Sequence, residues 1–462
     1  MQKIAIIGFG FTGTICAIHL IEKSKKPLQI FIIEKGNFLN TGIAYRSYSE
    51  RHLLNVIASK MSAFSSKPNH FVEWILKGNI FPGATVKEIS DKYVSRNLYG
   101  RYINEIWSEA LEMGKKKNIS VLIIKKSAID IEVATGKLKI KFSDSEVNEV
   151  DKCILATGNE LPADMNIKNK SIFNNTKYFK NPWDISSVRN LQDNYPILIV
   201  GNGLTMTDTV IGLLEQGTKQ KLISLSTHGF NILPHIKYEI EYKDLIDEWQ
   251  KKKNKDLREL ICLFNHHLKI LKKNGFGPEP LVDSLRPHSQ EIWQNLNVND
   301  KKKFMSRVRH LWGVARHRIP QETYKVICQL QSEKKLEIIA AKITDIFQYN
   351  DYLQVEYINR GSERKDRINV SRIINCTGPQ TDIKNSENTL LKNLFKKGWI
   401  SQDTLNLGIN SNVNTLRIID SRGIENLRIF TLAGNLKGML WETTAINEIR
   451  NQALKLSELI DC

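Results

Sequence analysis

IAIIGFGFTG, residues 4–13, is an apolar run that breaks into three glycines spaced G-x-G-x-x-G. The spacing has a physical reading. Gly8 permits a tight turn, Gly10 lets a pyrophosphate approach the backbone, and Gly13 lets helix and strand pack closely. Phe11 and Thr12 then open a helix whose N-terminus favours phosphate charge. The next apolar segment, LQIFIIEK (28–35), reads as a parallel strand covered on both faces. It ends in Glu34 and Lys35. Glu34 lies 26 residues beyond Gly8, near the place where such an acid accepts hydrogen bonds from ribose hydroxyls. Strand, turn, helix and strand predict a βαβ unit that holds a dinucleotide.

The same grammar returns in PILIVGNGLTMTD, residues 196–208. Gly201, Gly203, Leu204 and Thr205 repeat the strand, turn and helix start, but the third glycine is absent. Thr207 stands where close packing favours a small residue, and Asp208 on the first turns can tune the helix start. A second dinucleotide domain suits NAD(P)H as hydride donor; a vestigial site that only packs is the alternative. The following strand, KLISLST, ends without Asp or Glu and leads to Thr227 and His228. That tilts the choice slightly toward NADPH over NADH.

Around this second unit the chain repeats itself. KLKIKFSD and KCILATG precede it, and DYLQVEYI and SRIINCTG follow it. The predicted fold class is α/β, with two Rossmann-like dinucleotide-binding domains, the second inserted into the first. Residues 1–195 and 336–462 are expected to form the first domain. Residues 196–335 are expected to form the second, with a helical insertion. Helices are expected over 206–216, 241–275, 289–332 and 441–460.

Composition narrows the classes. The chain has 462 residues, 41% hydrophobic and 25% charged, which suits a globular protein with a sizeable core. The net charge of +18 comes from scattered short runs, such as the Lys triplets at 115–117, 251–253 and 301–303. They read as solvated surface, and no zinc-finger spacing or RNA-binding aromatic signature accompanies them. Cys16, Cys153, Cys262, Cys328, Cys376 and Cys462 form no C-x-x-C pair, against a zinc ribbon or dithiol redox centre. Thiols without pairing suit a reducing cytoplasm. The N-terminus lacks a signal-peptide cleavage site, and no apolar run of ~18 residues predicts a membrane span.

Two features favour FAD as the first dinucleotide. CILATG (153–158, with Thr157 and Gly158) and IINCTG (373–378, with Gly378) look like the ATG-type strands of flavoproteins with two dinucleotide domains. RIFTLAGN (428–435) resembles the final strand of that fold, with Asn435 where an Asp contacts the flavin side of FAD.

A family resemblance follows from longer stretches. GIAYRSYSERHLLNVIASKMSAFSSKPNHFVEWIL (42–76), GNGLTMTD, VDSLRPHSQEIWQNL (282–296), RHLWGVARHRIP (309–320), INCTGP and KGMLWETTAINEIR (437–450) resemble the YdhS-like FAD/NAD(P)-binding proteins. That family is related to an FAD-dependent urate hydroxylase and, more distantly, to flavin N-hydroxylases and Baeyer–Villiger-type enzymes. Ile57 replaces the proline usual after H-L-L-N-V. The resemblance implies an FAD domain with an inserted nicotinamide domain. It places Asn55, Met61 and Ser62 beside the isoalloxazine ring, and puts a last helix beginning at Trp441 with its N-terminus toward the flavin.

The insertion carries Arg286, His288, Arg307, Arg309, His310, Arg316, His317 and Arg318. Such a cluster suits a nucleotide phosphate or an anionic substrate, or else a solvated helix face. Trp312 reads as core, and Glu442 as a first-turn acid that stabilises its helix. The expected activity is that of an FAD-dependent, NAD(P)H-using monooxygenase acting on a small molecule with O2. The alternatives are a flavin dehydrogenase, oxidase or reductase, or a non-enzymatic FAD-binding protein. No nucleic-acid partner, metal or side-chain nucleophile is expected.

Overall fold

The computed structural model describes residues 1–36, 39–134, 136–191, 194–238 and 240–460; Cys462 lies outside them. Two parallel sheets organise the chain. In the first, Leu28–Ile33, Gln2–Ile7 and Lys152–Leu155 lie side by side, flanked by Ser120–Ile124 and Glu425–Thr431. In the second, Leu336–Gln348, Leu222–Ser226, Ile197–Val200 and Arg372–Asn375 take the same relative places. Numbered within each unit, both sheets read 3-2-1-4, the order of a dinucleotide-binding half.

Alternate residues of each strand enter opposite faces, and both faces are covered. Ile4, Ile6, Ile30 and Ile32 join one core, while Ala5, Ile7, Phe31 and Ile33 join another. Likewise Ile197 and Ile199 pack on one side of the second sheet, and Leu198 and Val200 on the other. This is why the strands read as unbroken apolar runs, each buried Ile contributing about 1.5–3 kcal/mol.

The two units match in detail. Before its fourth strand each makes an antiparallel excursion: Ala128–Ala134, Lys137–Phe142 and Val147–Val150 in the first, Leu336–Gln348, Leu353–Asn359 and Lys365–Val370 in the second. The repeated segments thus mark two complete units. Strands over 336–375, expected in the first domain, belong to the second sheet, as does Tyr178–Phe179. The first sheet takes back the chain only at Arg417–Ile419 and Glu425–Thr431. The reason is pairing: Leu336–Ala340 align with Leu222–Ser226, and Arg372–Asn375 with Ile197–Val200. The segment VLIIKKSAIDIEV also divides, since 120–124 pairs in parallel with 29–33 and only Ala128–Ala134 joins the antiparallel sheet.

Between Leu222–Ser226 and Leu336–Gln348 the chain leaves the second sheet as a helical insertion. Its helices run Asp244–Lys251, Leu257–Lys273, Glu279–Leu285, Ser289–Asn295, Val298–Lys303, Arg309–Arg316 and Gln321–Ser332. Leu245, Ile246, Trp249, Leu263, Leu281 and Leu285 give it a core of its own. The segment expected to be helical over 241–275 forms two helices, breaking between Lys251 and Leu257, where Asp256 caps the second piece through Glu259 N–H at 2.8 Å.

Two buried ion pairs join these parts. Arg96, at the start of helix Arg96–Lys116, meets Asp208 at 3.0 Å, with both side chains under 15% exposed (13% and 12%). Asp208 therefore ties the second domain to the first instead of tuning its own helix start. His52 adds to this seam through Nε2 to the Asp208 carbonyl at 2.8 Å, and burial holds its pKa below the ordinary value. At the other seam Glu442 accepts from Trp312 Nε1 at 3.0 Å and faces Arg316 at 3.5 Å. Trp441 stacks on Trp293 with ring centres 5.1 Å apart and meets Phe304 edge-on. Trp441 has φ 62° and ψ −70°, and Glu442 N–H bonds to Leu440 O at 2.8 Å: a strained γ-turn held by its neighbours. This clasp stops the last helix from starting at Trp441; it runs Ile446–Ile460.

Two expected outcomes follow from these contacts. A Cβ at Gly8, where φ is +105°, would lie 2.2 Å from Ala156 O, whereas Gly158 (φ +71°) has nothing within 4 Å. Gly8→Ala should cost about 3 kcal/mol or more and Gly158→Ala about 1, read by urea unfolding; equal costs would remove the close approach as the cause. Glu442→Gln keeps an acceptor for Trp312 but leaves Arg316 without its charge partner. It should destabilise the fold by about 2 kcal/mol, seen as a lower thermal midpoint.

Candidate functional site

The two glycine turns sit at the carboxyl ends of the two sheets and share one construction. Gly8 N–H bonds Ile33 O at 2.8 Å, and Gly201 N–H bonds Leu225 O at 2.8 Å. Gly201 has φ +109°, and a Cβ there would lie 2.4 Å from Cys376 O. A Cβ at Gly13 would lie 2.0 Å from Gly8 O, so helix Phe11–Lys23 packs directly on its turn. In the second unit the third position is Met206, fully buried, and Thr207 beside it is buried as well.

The two following helices both start at a glycine N-cap. Thr85, Ser95, Asp256, Asn297 and Asn388 cap other helices with side-chain oxygens. Gly10 and Gly203 cap theirs with none. The first-turn N–H groups, over Phe11 and Thr12 in one case and Leu204 and Thr205 in the other, are left for an external anion. A Cβ at Gly203 would meet nothing within 4 Å, and neither would one at Gly158 or Gly378, which end the neighbouring strands. The residues present therefore fit a dinucleotide at each turn.

Glu34 is fixed from two sides, accepting Phe9 N–H at 2.9 Å and Gly36 N–H at 2.8 Å. A carboxylate keeps further lone pairs, so it can still accept from a ribose. Lys35 next to it is exposed. Asn435 is placed differently from the expectation. Its amide Nδ2 lies 3.0–3.2 Å from Leu155 O, Thr157 Oγ1 and Thr431 Oγ1, and its two N–H donors shared among them bind two strand ends together. An Asp could not donate those bonds, which gives the amide a structural reason. Met61 and Ser62 are buried in the core, and the Ser62 hydroxyl bonds the carbonyls of Phe64 and Lys67. Neither reaches the large cavity, because the turn they stabilise folds them inward.

That cavity, about 1360 Å³, lies between the first domain and the helical insertion. Asn55 is on its wall, as are Arg286, His288, Arg316 and Arg318. Their conditions differ. Arg318 is 5% exposed and bound to Asp283 at 3.2 Å and to Ala315 O at 2.9 Å. Arg316 is held by Glu442, and His288 lies 3.9 Å from Glu291. The Arg286 side chain makes no hydrogen bond or ion pair among the described residues, which leaves it for a ligand. His317 turns back to Gly313 O at 3.0 Å and is not on the wall; Arg307 is exposed. Arg309 and His310 leave the cavity for the far end of strand Leu222–Ser226, where His310 packs on His228.

One wall residue escapes motif reading. His235, in the stretch ILPHIK, stacks on Tyr93 and bonds Asn55 O through Nε2 at 2.9 Å. Burial holds its pKa below the ordinary value. With Nε2–H donated, Nδ1 stays available as a neutral proton acceptor. The proline beside it is the only cue in the sequence.

Residues 5–160 match a family described as FAD-NAD(P)-binding. A search of curated proteins gives no match. Among solved structures the chain is similar to the ornithine N-hydroxylase of Kutzneria sp. 744, at 11% identity over 100% of this chain and 99% of that one, with a TM-score of 0.67. The L-lysine 6-monooxygenase of Pseudomonas syringae gives 13% identity over 99% and 98%, with a TM-score of 0.65. The bacillithiol disulfide reductase of Staphylococcus aureus gives 14% over 100% and 98%, at a lower TM-score of 0.55. No helix among the described residues is long and apolar enough to cross a membrane. The chain has a mixed α/β fold with two Rossmann-like parallel sheets, the fold of these flavin-dependent enzymes, and residues 5–160 match the FAD-NAD(P)-binding model.

Proposed function

We propose that the chain is an FAD-dependent, NAD(P)H-using monooxygenase of YdhS-like type that hydroxylates a small molecule. The observation that carries this is the pair of glycine-capped helix starts behind two matched glycine turns, with one large cavity against the first domain. Two dinucleotides need two such turns, and one of them must exchange hydride with the other. The resemblance in fold to the ornithine and lysine hydroxylases supports the oxygen-using reading over the reductases, as does the lack of a C-x-x-C pair.

Gly8, Gly10, Phe11, Thr12, Gly13, Glu34, Thr157 and Gly158 would hold FAD. Gly201, Gly203, Leu204, Thr205 and Gly378 would hold the nicotinamide nucleotide. Bound FAD supplies hydride acceptance and activation of O2. The chain's own residues orient the substrate and exclude water. Arg286, without a partner among the described residues, suits an anionic group on the substrate. His235 is placed to accept a proton at Nδ1 from a group in the cavity. Free thiols at Cys16, Cys153 and Cys376 suit work in a reducing cytoplasm.

Anaerobic mixing of flavin-loaded protein with NADPH or NADH tests the reading. The flavin absorbance should bleach within seconds to minutes, and O2 should restore it. Bleaching with no oxygenated product from any anionic candidate substrate would favour a reductase or oxidase. No bleaching by either nucleotide, with candidate substrates present, would overturn the proposal.

A further inference from the structure

Three separate segments converge just past the end of strand Leu222–Ser226. His228 lies two residues beyond the strand. Arg360 is set beside it because Arg360 N–H bonds Ala340 O at 2.8 Å, and Ala340 is the register partner of Ser226. The insertion contributes the third segment. A π-helical turn over Phe304–Val308 leads into helix Arg309–Arg316, and the His310 ring stands edge-on to His228 with centres 4.1 Å apart. Arg309 Nη2 lies 3.0 Å from His310 Nε2. Since the guanidinium can only donate, that imidazole nitrogen accepts, and the His310 proton is on Nδ1.

The cluster is one-sided in charge. Several arginines elsewhere are matched: Arg316 with Glu442, Arg318 with Asp283, Arg96 with Asp208 and Arg367 with Glu356. Among the described residues no carboxylate pairs with Arg309 or Arg360. Arg309 Nε and His228 Nδ1 are buried without a hydrogen-bond partner. Burial, then Arg360 and Arg309, hold the His228 pKa below its ordinary value; burial, Arg309 and His228 bring His310 to about 4. Donors crowded together without an acceptor are unfavourable unless an anion joins them.

The position identifies the anion. In a dinucleotide-binding unit the end of the second strand faces the adenosine ribose, where an acid binds the 2′-hydroxyl and basic groups accept a 2′-phosphate. We propose that His228, Arg309, His310 and Arg360 form a pocket for the 2′-phosphate of NADPH and make the chain selective for NADPH over NADH. This rests on the reading that the second glycine turn holds a nicotinamide nucleotide. Two of the four residues belong to the insertion, so bound nucleotide would also pin the insertion to the sheet.

Calorimetric titration with adenosine 2′,5′-bisphosphate and with 5′-AMP tests the pocket without any turnover. The two probes differ only in the 2′-phosphate. The bisphosphate should bind about tenfold or more tightly, with a steeper loss at high salt. Arg309→Ala and Arg360→Ala should each weaken the bisphosphate several-fold, and together bring it to the level of 5′-AMP. Arg309→Lys should restore part of the preference. Binding of 5′-AMP and the thermal midpoint should stay unchanged, which shows the variants are folded. Equal affinity for the two probes in the unaltered protein, or a preference that survives the double substitution, overturns the pocket alone. Failure of both probes to bind overturns the nicotinamide reading with it.

Discussion

The backbone carbonyls of Ala156 and Cys376 stand where side chains at Gly8 and Gly201 would have to be. Each contact closes a first strand onto the end of a fourth strand, and the remaining geometry follows from that closeness. Ala156 N–H bonds Ile7 O at 2.9 Å, and Cys376 N–H bonds Val200 O at 2.8 Å. With the turn pinned between strands, the following helix must begin at Gly10 or Gly203, and its first N–H groups point past the sheet end. Glycine is required by the backbone in both places, before any ligand is considered.

The architecture turns these two local contacts into one enclosed space. Helix Leu204–Glu215 is held against the first domain by Asp208 and by Tyr48, whose ring lies where a side chain at Gly212 would be. The insertion reaches across from the second sheet and grips residues 438–442, through Trp293 Nε1 to Gly438 O at 2.8 Å and Trp312 to Glu442. Three bodies thus meet around the cavity that carries Asn55, His235 and Arg286.

What the sequence discloses depends on whether a feature is local. Glycine spacing, apolar strands and the recurrence of KCILATG in SRIINCTG are local, and they are sufficient for the fold class. Domain bounds are not local, because membership of residues 336–375 is decided by pairing with strands more than a hundred residues earlier. The basic cluster of the insertion shows the same limit. Read along the chain it is one group; folded, Arg318 and Arg316 are neutralised by Asp283 and Glu442, Arg286 faces the cavity, and Arg309 turns to His310, which packs on His228. Asn435, Met61 and Ser62 are expected ligand contacts by position, and folding also gives them framework hydrogen bonds or burial that the sequence does not display.

The γ-turn at Trp441 makes the insertion a poor module for exchange. Its unusual backbone is supported by the Trp293 and Phe304 rings, which come from a different part of the chain. A recombinant chimera that imports a foreign helical insertion would lose that support and leave residues 437–442 without a stable path into the last helix. The smallest transplantable unit is therefore discontinuous, the insertion together with this short C-terminal segment. Diversification of the cavity by recombination is constrained to move both pieces at once.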